Sequence, residues 1–233
     1  PRAIMRRALD ALDRENGGLE GAMKFPTPVR WRYLVDAYRK WGNADLGNAL
    51  RMTLDQMSKG GLHDHVGGGF HRYTIDKTWT IPHFEKMLYN QAQMARLYVR
   101  AYELTGQVRW RWVAKDIFAF VAREMTAPEG GFYTALDAET EAEEGKYYTW
   151  TEAALDVVPG EHAAAFWAVR GAAEPVGRVN GEPAFRQIFG ADTSPTEAWV
   201  DLGLPAGEAV TSAVDLWAQR RLRLDEDCLD LAV

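Results

Sequence analysis

The sequence predicts an all-α fold, a curved array or toroid of helical hairpins with short β-hairpin insertions, and three observations carry this. Apolar residues recur at helical spacing through the first half of the chain. Two of the helical stretches are separated only by the Thr105-Gly106 region, a link short enough to force an antiparallel α-hairpin. Gly-Gly followed by an apolar residue punctuates the helices at Gly17-Gly18-Leu19, Gly60-Gly61-Leu62 and Gly130-Gly131-Phe132. Loops of that kind would gather at one end of a hairpin array, where a site can form.

Taken in order, Ala3 to Leu12 is a short amphipathic stretch that stops at Asn16-Gly17-Gly18. A helix is expected over Trp31 to Lys40, ending before Gly42-Asn43. From Ala44 to Met57, Leu46, Leu50, Leu54 and Met57 share one face, and Gly60-Gly61 ends the helix. A long helix is expected from His83, with Phe84, Met87, Leu88, Ala95, Tyr98 and Tyr102 on one side and a glycine cap at Gly106. The next runs from Val108 to Met125 and stops before Pro128. The paired helices around Gly106 should pack through Met87, Tyr98, Val113 and Ile117.

Past Gly130 the pattern changes. Gly131 to Thr134 and Lys146 to Trp150 read as short strands flanking an acidic loop from Asp137 to Glu144. Short helices follow Thr151 and Glu161. Ser194-Pro195-Thr196-Glu197 forms a capping box, and a last helix is expected from Gly207 to Leu222. The chain is thus expected to form a single domain over 1–233, with a less regular insertion over 127–205.

Composition narrows the function classes. The chain has 233 residues, 47% hydrophobic and 26% charged, as an ordinary globular protein does. The net charge of −6 argues against nucleic acid and against an anionic membrane as partner. The single cysteine, Cys228, excludes an internal disulfide and a CxxC motif within the chain. No apolar run has the length of a membrane span and no signal peptide is visible, so the cytoplasm is the expected location. The chain begins with Pro1 rather than Met, which reads as a fragment or a processed product.

The chemistry concentrates in Gly60 to Gln91, which holds four of the five histidines: His63, His65, His71 and His83. His63-Asp64-His65 has the His-x-His spacing of a metal-binding strand. A zinc site needs three or four ligands; His71, His83 or Glu85 could complete one, but nothing in the spacing demands it, and no metal or other cofactor is expected. Gly67-Gly68-Gly69 lacks the spacing of a nucleotide fingerprint and reads equally as a tight turn or a ligand contact. His71, Arg72, Tyr73 and Trp79 combine a proton carrier, a cation and aromatic walls of the kind that hold sugars, although Tyr73 and Trp79 also suit the packing of a long loop. His83 and Glu85 are placed in the first turn of the helix, where its dipole would act on them. Asp137, directly after an apolar strand, is the acidic-loop carboxylate most apt to face these groups.

"GAMKFPTP", the long segment "GGLHDHVGGGFHRYTIDKTWTIPHFEKMLYNQAQMARLYVRAYELTG" and "PEGGFYTALDAETEAEEGKYYTW" strongly resemble one family. It is the family of thioredoxin-domain proteins with a six-hairpin-glycosidase-like region, which includes the spermatogenesis-associated proteins. The resemblance covers the chain from Asp10 to Trp150 and thins beyond. It implies a partial (α/α)6 toroid, here its N-terminal portion, without the family's thioredoxin-like domain. A partial toroid leaves an apolar flank, so a homo-oligomer or further C-terminal hairpins are expected to cover it.

By analogy with sugar 2-epimerases, the resemblance implies a carbohydrate-active or related small-molecule enzyme using histidine acid–base chemistry. The candidate catalytic residues are His71, His83, Glu85 and Asp137. The candidate substrate-binding residues are Lys24, His65, Arg72, Tyr73 and Trp79. A glycosidase variant would pair Glu85 with Asp137. The alternative is a non-catalytic binding or scaffold module that accompanies a thioredoxin-like domain.

Overall fold

A computed structural model describes residues 2–64, 67–148, 175–179, 182–185 and 229–231. The helices are α1 (Arg2–Asp10), α2 (Pro28–Trp41), α3 (Ala44–Lys59), α4 (Leu88–Thr105) and α5 (Val108–Glu124). Between α3 and α4 lie three two-residue strands: β1 (Tyr73–Thr74), β2 (Pro82–His83) and β3 (Lys86–Met87). After α5 come β4 (Tyr133–Leu136), β5 (Glu139–Thr140), β6 (Glu143–Glu144), β7 (Pro175–Val179), β8 (Glu182–Phe185) and β9 (Leu229–Leu231). The helices expected after Thr151 and Glu161, at the Ser194 capping box and over Gly207 to Leu222 lie outside the described residues.

Two helical hairpins make the body. Gly42, in the left-handed region with φ 60°, ends α2, and Asn43 caps α3 by accepting the amide of Leu46 at 2.8 Å. Gly106, with φ 70°, ends α4 and turns the chain into α5. α4 packs along both α5 and α2. One apolar core joins them: Trp31 and Leu34 of α2, Leu50, Leu54 and Met57 of α3, Met94 and Tyr98 of α4, and Trp110, Val113 and Ile117 of α5. The Tyr98 hydroxyl is not stranded in this core, since it donates to the Leu54 carbonyl at 2.8 Å. Tyr98, Val113 and Ile117 are buried as expected. Met87 is only half-buried and lies in a strand, not in the helix.

That displacement is the main correction to the expected elements. α4 begins at Leu88, five residues later than His83 suggested. Residues 82–87 are extended because they are paired on both sides: His83 opposite Tyr73, and Lys86 opposite Leu136. Burial alternates along them, with Phe84 and Lys86 inside and His83 and Glu85 half-exposed. The period of two was hidden because one inward position is a lysine. The second correction concerns Lys146–Tyr148, which form a turn rather than a strand. The acidic loop itself makes the hairpin instead, β5 against β6, with Glu141 and Ala142 at φ 55° and 57° in its turn.

Gly60 to Gln91 is not purely a surface loop. Its first part is clamped to α5: the amide of Gly69 donates to Asp116 at 3.0 Å, and Arg123 donates to the Gly67 carbonyl. Gly69 lies with φ 74° so close to Phe120 that a Cβ would come within 2.5 Å of the ring. The glycine run is therefore a packed turn under a helix. Gln91 then closes the loop as a strand partner would, accepting the Phe70 amide at 2.8 Å and donating to its carbonyl at 2.5 Å.

Candidate functional site

Backbone pairing between Lys24 and Thr74 ties the segment entering α2 to the segments entering α4. Both helices therefore start at one end of the array, and the sequence motifs collect there. The antiparallel register of β1 and β2 stacks Tyr73 on His83, with ring centroids 4.9 Å apart. Phe25, next to Lys24, stacks on the other face of Tyr73 at 4.7 Å and remains 45% exposed. A three-ring ladder, Phe25–Tyr73–His83, thus reaches solvent.

Polar groups surround the His83 end of the ladder. Its Nδ1 lies 2.6 Å from Glu144 Oε1, and its Nε2 lies 3.9 Å from Glu85 Oε2. Glu85 also accepts from Arg72 at 2.7 Å. That hydrogen bond, and the charge of Glu85 behind it, raise the Arg72 guanidinium further above its ordinary value. Asp137 follows β4 and is exposed, its Oδ1 accepting the amide of Glu139 at 3.1 Å. The half-exposed cluster of Arg72, Tyr73, His83, Glu85 and Glu144 presents acid, base, cation and aromatic surface together, which is the composition of a small-molecule site.

Several predicted site residues serve the interior instead. Lys24 is buried, and its ammonium donates to Asp13 at 2.6 Å and to the carbonyls of Leu19 at 2.6 Å and Gly17 at 3.2 Å. Burial alone would raise the Asp13 carboxyl, but hydrogen bonds from Lys24, Asn16 and Glu15 outweigh it and hold the group well below the usual carboxylate range. Trp79 is fully buried in a left-handed turn, φ 61°, and its Nε1 donates to the Asn16 carbonyl at 2.9 Å. Asp76 folds that turn by accepting the amides of Thr78, Thr80 and Ile81. Trp79 anchors the loop and does not line the site.

His71 is buried as well, with Nδ1 donating to the Phe84 carbonyl at 2.9 Å and its ring edge-on to Tyr148. His63 is taken by the Ser58 carbonyl and by Asp116, at 3.1 and 2.8 Å. His65 lies outside the described residues. Among the described residues, no three histidine, cysteine or acidic side chains gather as metal ligands. Nor, among them, is any helix long and apolar enough to cross a membrane.

One contributor escaped the sequence, and a second was only placed by it. The resemblance put Phe25 near the toroid mouth without giving it a role. Glu144 was one acid among several in a run whose ordinary reading is a solvated face. Nothing local separates it from Glu143; only the β5–β6 hairpin turns the two to opposite sides. A concavity of about 210 Å³, apart from this cluster, opens at the far end of the hairpins between Tyr38, Leu50, Arg51, Leu104 and Trp110. It holds none of the candidate site residues.

Two hairpins closed by tight turns, with the His83 cluster at the end where α2 and α4 begin, form part of an (α/α)6 toroid. Solved structures match this fold: a sugar epimerase from a ruminal bacterium at TM-score 0.52 and 18% identity, over 70% of this chain and 46% of that one. A cellobiose 2-epimerase from Bacillus thermoamylovorans matches at TM-score 0.53 and 14% identity, over 94% and 70%. By sequence, the chain is similar to spermatogenesis-associated protein 20 of mammals. The human protein is 44% identical over 138 residues, 58% of this chain and 18% of that protein. The rat protein is 39% identical over 165 residues, 69% of this chain and 20% of that protein. An uncharacterized protein of Caenorhabditis elegans is 34% identical over 145 residues, 60% of this chain and 20% of that protein. The chain spans about a fifth of the length of these curated relatives. No protein-family model matches it.

Proposed function

We propose that the chain acts on a sugar or a related polar small molecule, with His83 as its acid–base group. The observation that carries this is His83 itself. Among the described histidines of the motif it is the half-exposed one, stacked on Tyr73, bonded to Glu144 and 3.9 Å from a carboxylate that Arg72 neutralises. A sugar ring offers an apolar C–H face to the ladder and hydroxyls to the charged rim. The reaction class is removal of the proton next to a carbonyl. The C–H pair becomes the enediolate double bond, the carbonyl π pair moves onto oxygen, and the imidazole holds the proton. Return of the proton to the same face exchanges it with solvent; return to the opposite face inverts the carbon. The fold likeness to sugar epimerases supports the class and does not choose the substrate.

Proton exchange tests it directly. The chain is incubated with a panel of free aldoses, ketoses and reducing disaccharides in D₂O, and loss of the signal of the proton next to the carbonyl (at C2 of an aldose, at C1 or C3 of a 2-ketose) is followed by NMR. Exchange is expected in the wild type and should vanish in His83→Ala while the helical circular dichroism stays the same. The second reading, a non-catalytic module beside a thioredoxin-like domain, is favoured by one observation: the charged groups of the cluster already pair with one another, Arg72 with Glu85 and His83 with Glu144. A chain that neither exchanges nor binds any sugar in the panel supports that second reading.

A further inference from the structure

We infer that Glu144 is a positioning residue for His83: it holds the ring proton on Nδ1 and leaves Nε2, facing Glu85, as the atom that exchanges a proton with the substrate. This rests on His83 being the acid–base group. An ionised carboxylate only accepts hydrogen bonds, so the 2.6 Å contact with Glu144 requires a proton on Nδ1. In the neutral ring, Nε2 then carries the lone pair. The 3.9 Å from Nε2 to Glu85 Oε2 is too long for a direct hydrogen bond. That gap lies between two acceptors and suits a substrate group that brings its own hydrogen. The two ring nitrogens thus differ: one is held by Glu144, and the other stands 3.9 Å from a carboxylate oxygen.

The hairpin is shaped to deliver this contact. Glu144 is 44% exposed, and such a side chain has no reason to leave water unless its backbone is aimed. The left-handed pair Glu141-Ala142 reverses the chain, and Lys146 pairs with Glu141 across the turn. Gly145 then passes against Phe84 with φ 78°, where a Cβ would lie 2.6 Å from the ring. Only glycine allows β6 to run that close to β2 and β3, and the residue before it is Glu144.

The experiment is a two-bond ¹H–¹⁵N correlation spectrum of the full chain with ¹⁵N-labelled histidine, recorded where His83 is neutral. The His83 signal is assigned by its loss in His83→Gln. Wild-type His83 should show the Nδ1–H pattern. Glu144→Ala should move it toward Nε2–H and slow sugar proton exchange by at least about tenfold. Glu144→Gln should keep Nδ1–H, because the amide oxygen still accepts, and should retain more exchange than Glu144→Ala. Glu143→Ala, on the other side of the strand, should change neither. An unchanged His83 pattern in Glu144→Ala, or an Nε2–H pattern in the wild type, overturns the proposal. The expected tautomers with no exchange of any sugar would overturn the acid–base role of His83 and leave the placement of its proton standing.

Discussion

Gly60 to Gln91 contains two halves built from the same residue types, and only one of them faces solvent. The inner half holds His63, Asp64, His71 and Lys86, all at most 2% exposed. The outer half holds Arg72, Tyr73, His83 and Glu85, with His83 at 25% and Arg72 at 43%. Both contain imidazole, carboxylate, cation and aromatic surface. In the inner half every charge is neutralised at short range: Lys86 donates to Asp64 and to the Gly68 carbonyl, each at 2.7 Å, and lies over the Phe120 ring. In the outer half the partners are on the rim and the ring edge of His83 faces a gap. Residue type marks where chemistry is possible, and burial decides whether a group spends itself on stability or on a ligand.

The sharpest way to break this contrast is to remove one charge from the inner half. Lys86→Ala leaves the Asp64 carboxylate buried without its cation, and is expected to cost about 3–5 kcal/mol. For a chain of this size that lowers Tm by roughly 10 °C or more, read by circular dichroism or calorimetry. A loss below about 1 kcal/mol would mean that the pair is wetter than its burial indicates.

The histidines give the next largest effect and the most direct comparison. His63→Ala removes a buried ring bonded to Ser58 and Asp116 and stacked on Phe70, with an expected cost of about 2–3 kcal/mol. His83→Ala should cost no more than about 0.5–1 kcal/mol and remove sugar binding or exchange instead. Urea unfolding of both variants, beside the exchange assay, checks it. Equal destabilisation by the two would erase the distinction between the halves.

Acid provides a smaller, pH-resolved test at the other buried lysine. Asp13 titrates lower in the fold than its unfolded value of about 3.9. Its ionised form therefore stabilises the fold fully above that value, and the contribution fades as pH falls through the folded one. Stability should drop below about pH 4, and the drop should flatten in Asp13→Asn although that variant is weaker at pH 7. A denaturant midpoint series from pH 7 to 2 reads the slope; parallel curves would remove Asp13 from the account.

The smallest expected effect belongs to the exposed end of the ladder. Phe25→Ala should leave Tm within a few degrees, because the ring is 45% exposed. It should weaken a bound sugar by about 3- to 10-fold, in line with an aromatic contact of roughly 0.5–1.5 kcal/mol. Titration of the same sugar into both proteins decides it, and unchanged affinity would place the ligand away from the ladder.

Local information in the chain was enough for the described helices, the hairpin at Gly106 and the toroid class. Those features depend on apolar spacing, on glycine at left-handed positions and on motif strings, all read within a few neighbours. The roles of individual side chains were not legible in the same way. Lys24 read as a site residue from the family resemblance and Trp79 from its type, yet Lys24 answers Asp13 and Trp79 answers Asn16, 63 residues away in sequence. The start of α4 was misjudged because the inward Lys86 broke the alternation that marks a strand, and its neutralising Asp64 is visible only when the loop is folded. Glu144 meets His83 across 61 residues, through a hairpin and a strand pairing that no local pattern encodes. Which histidine is buried and which is presented was decided by tertiary structure, because desolvation and charge pairing depend on what packs over a group from distant parts of the chain.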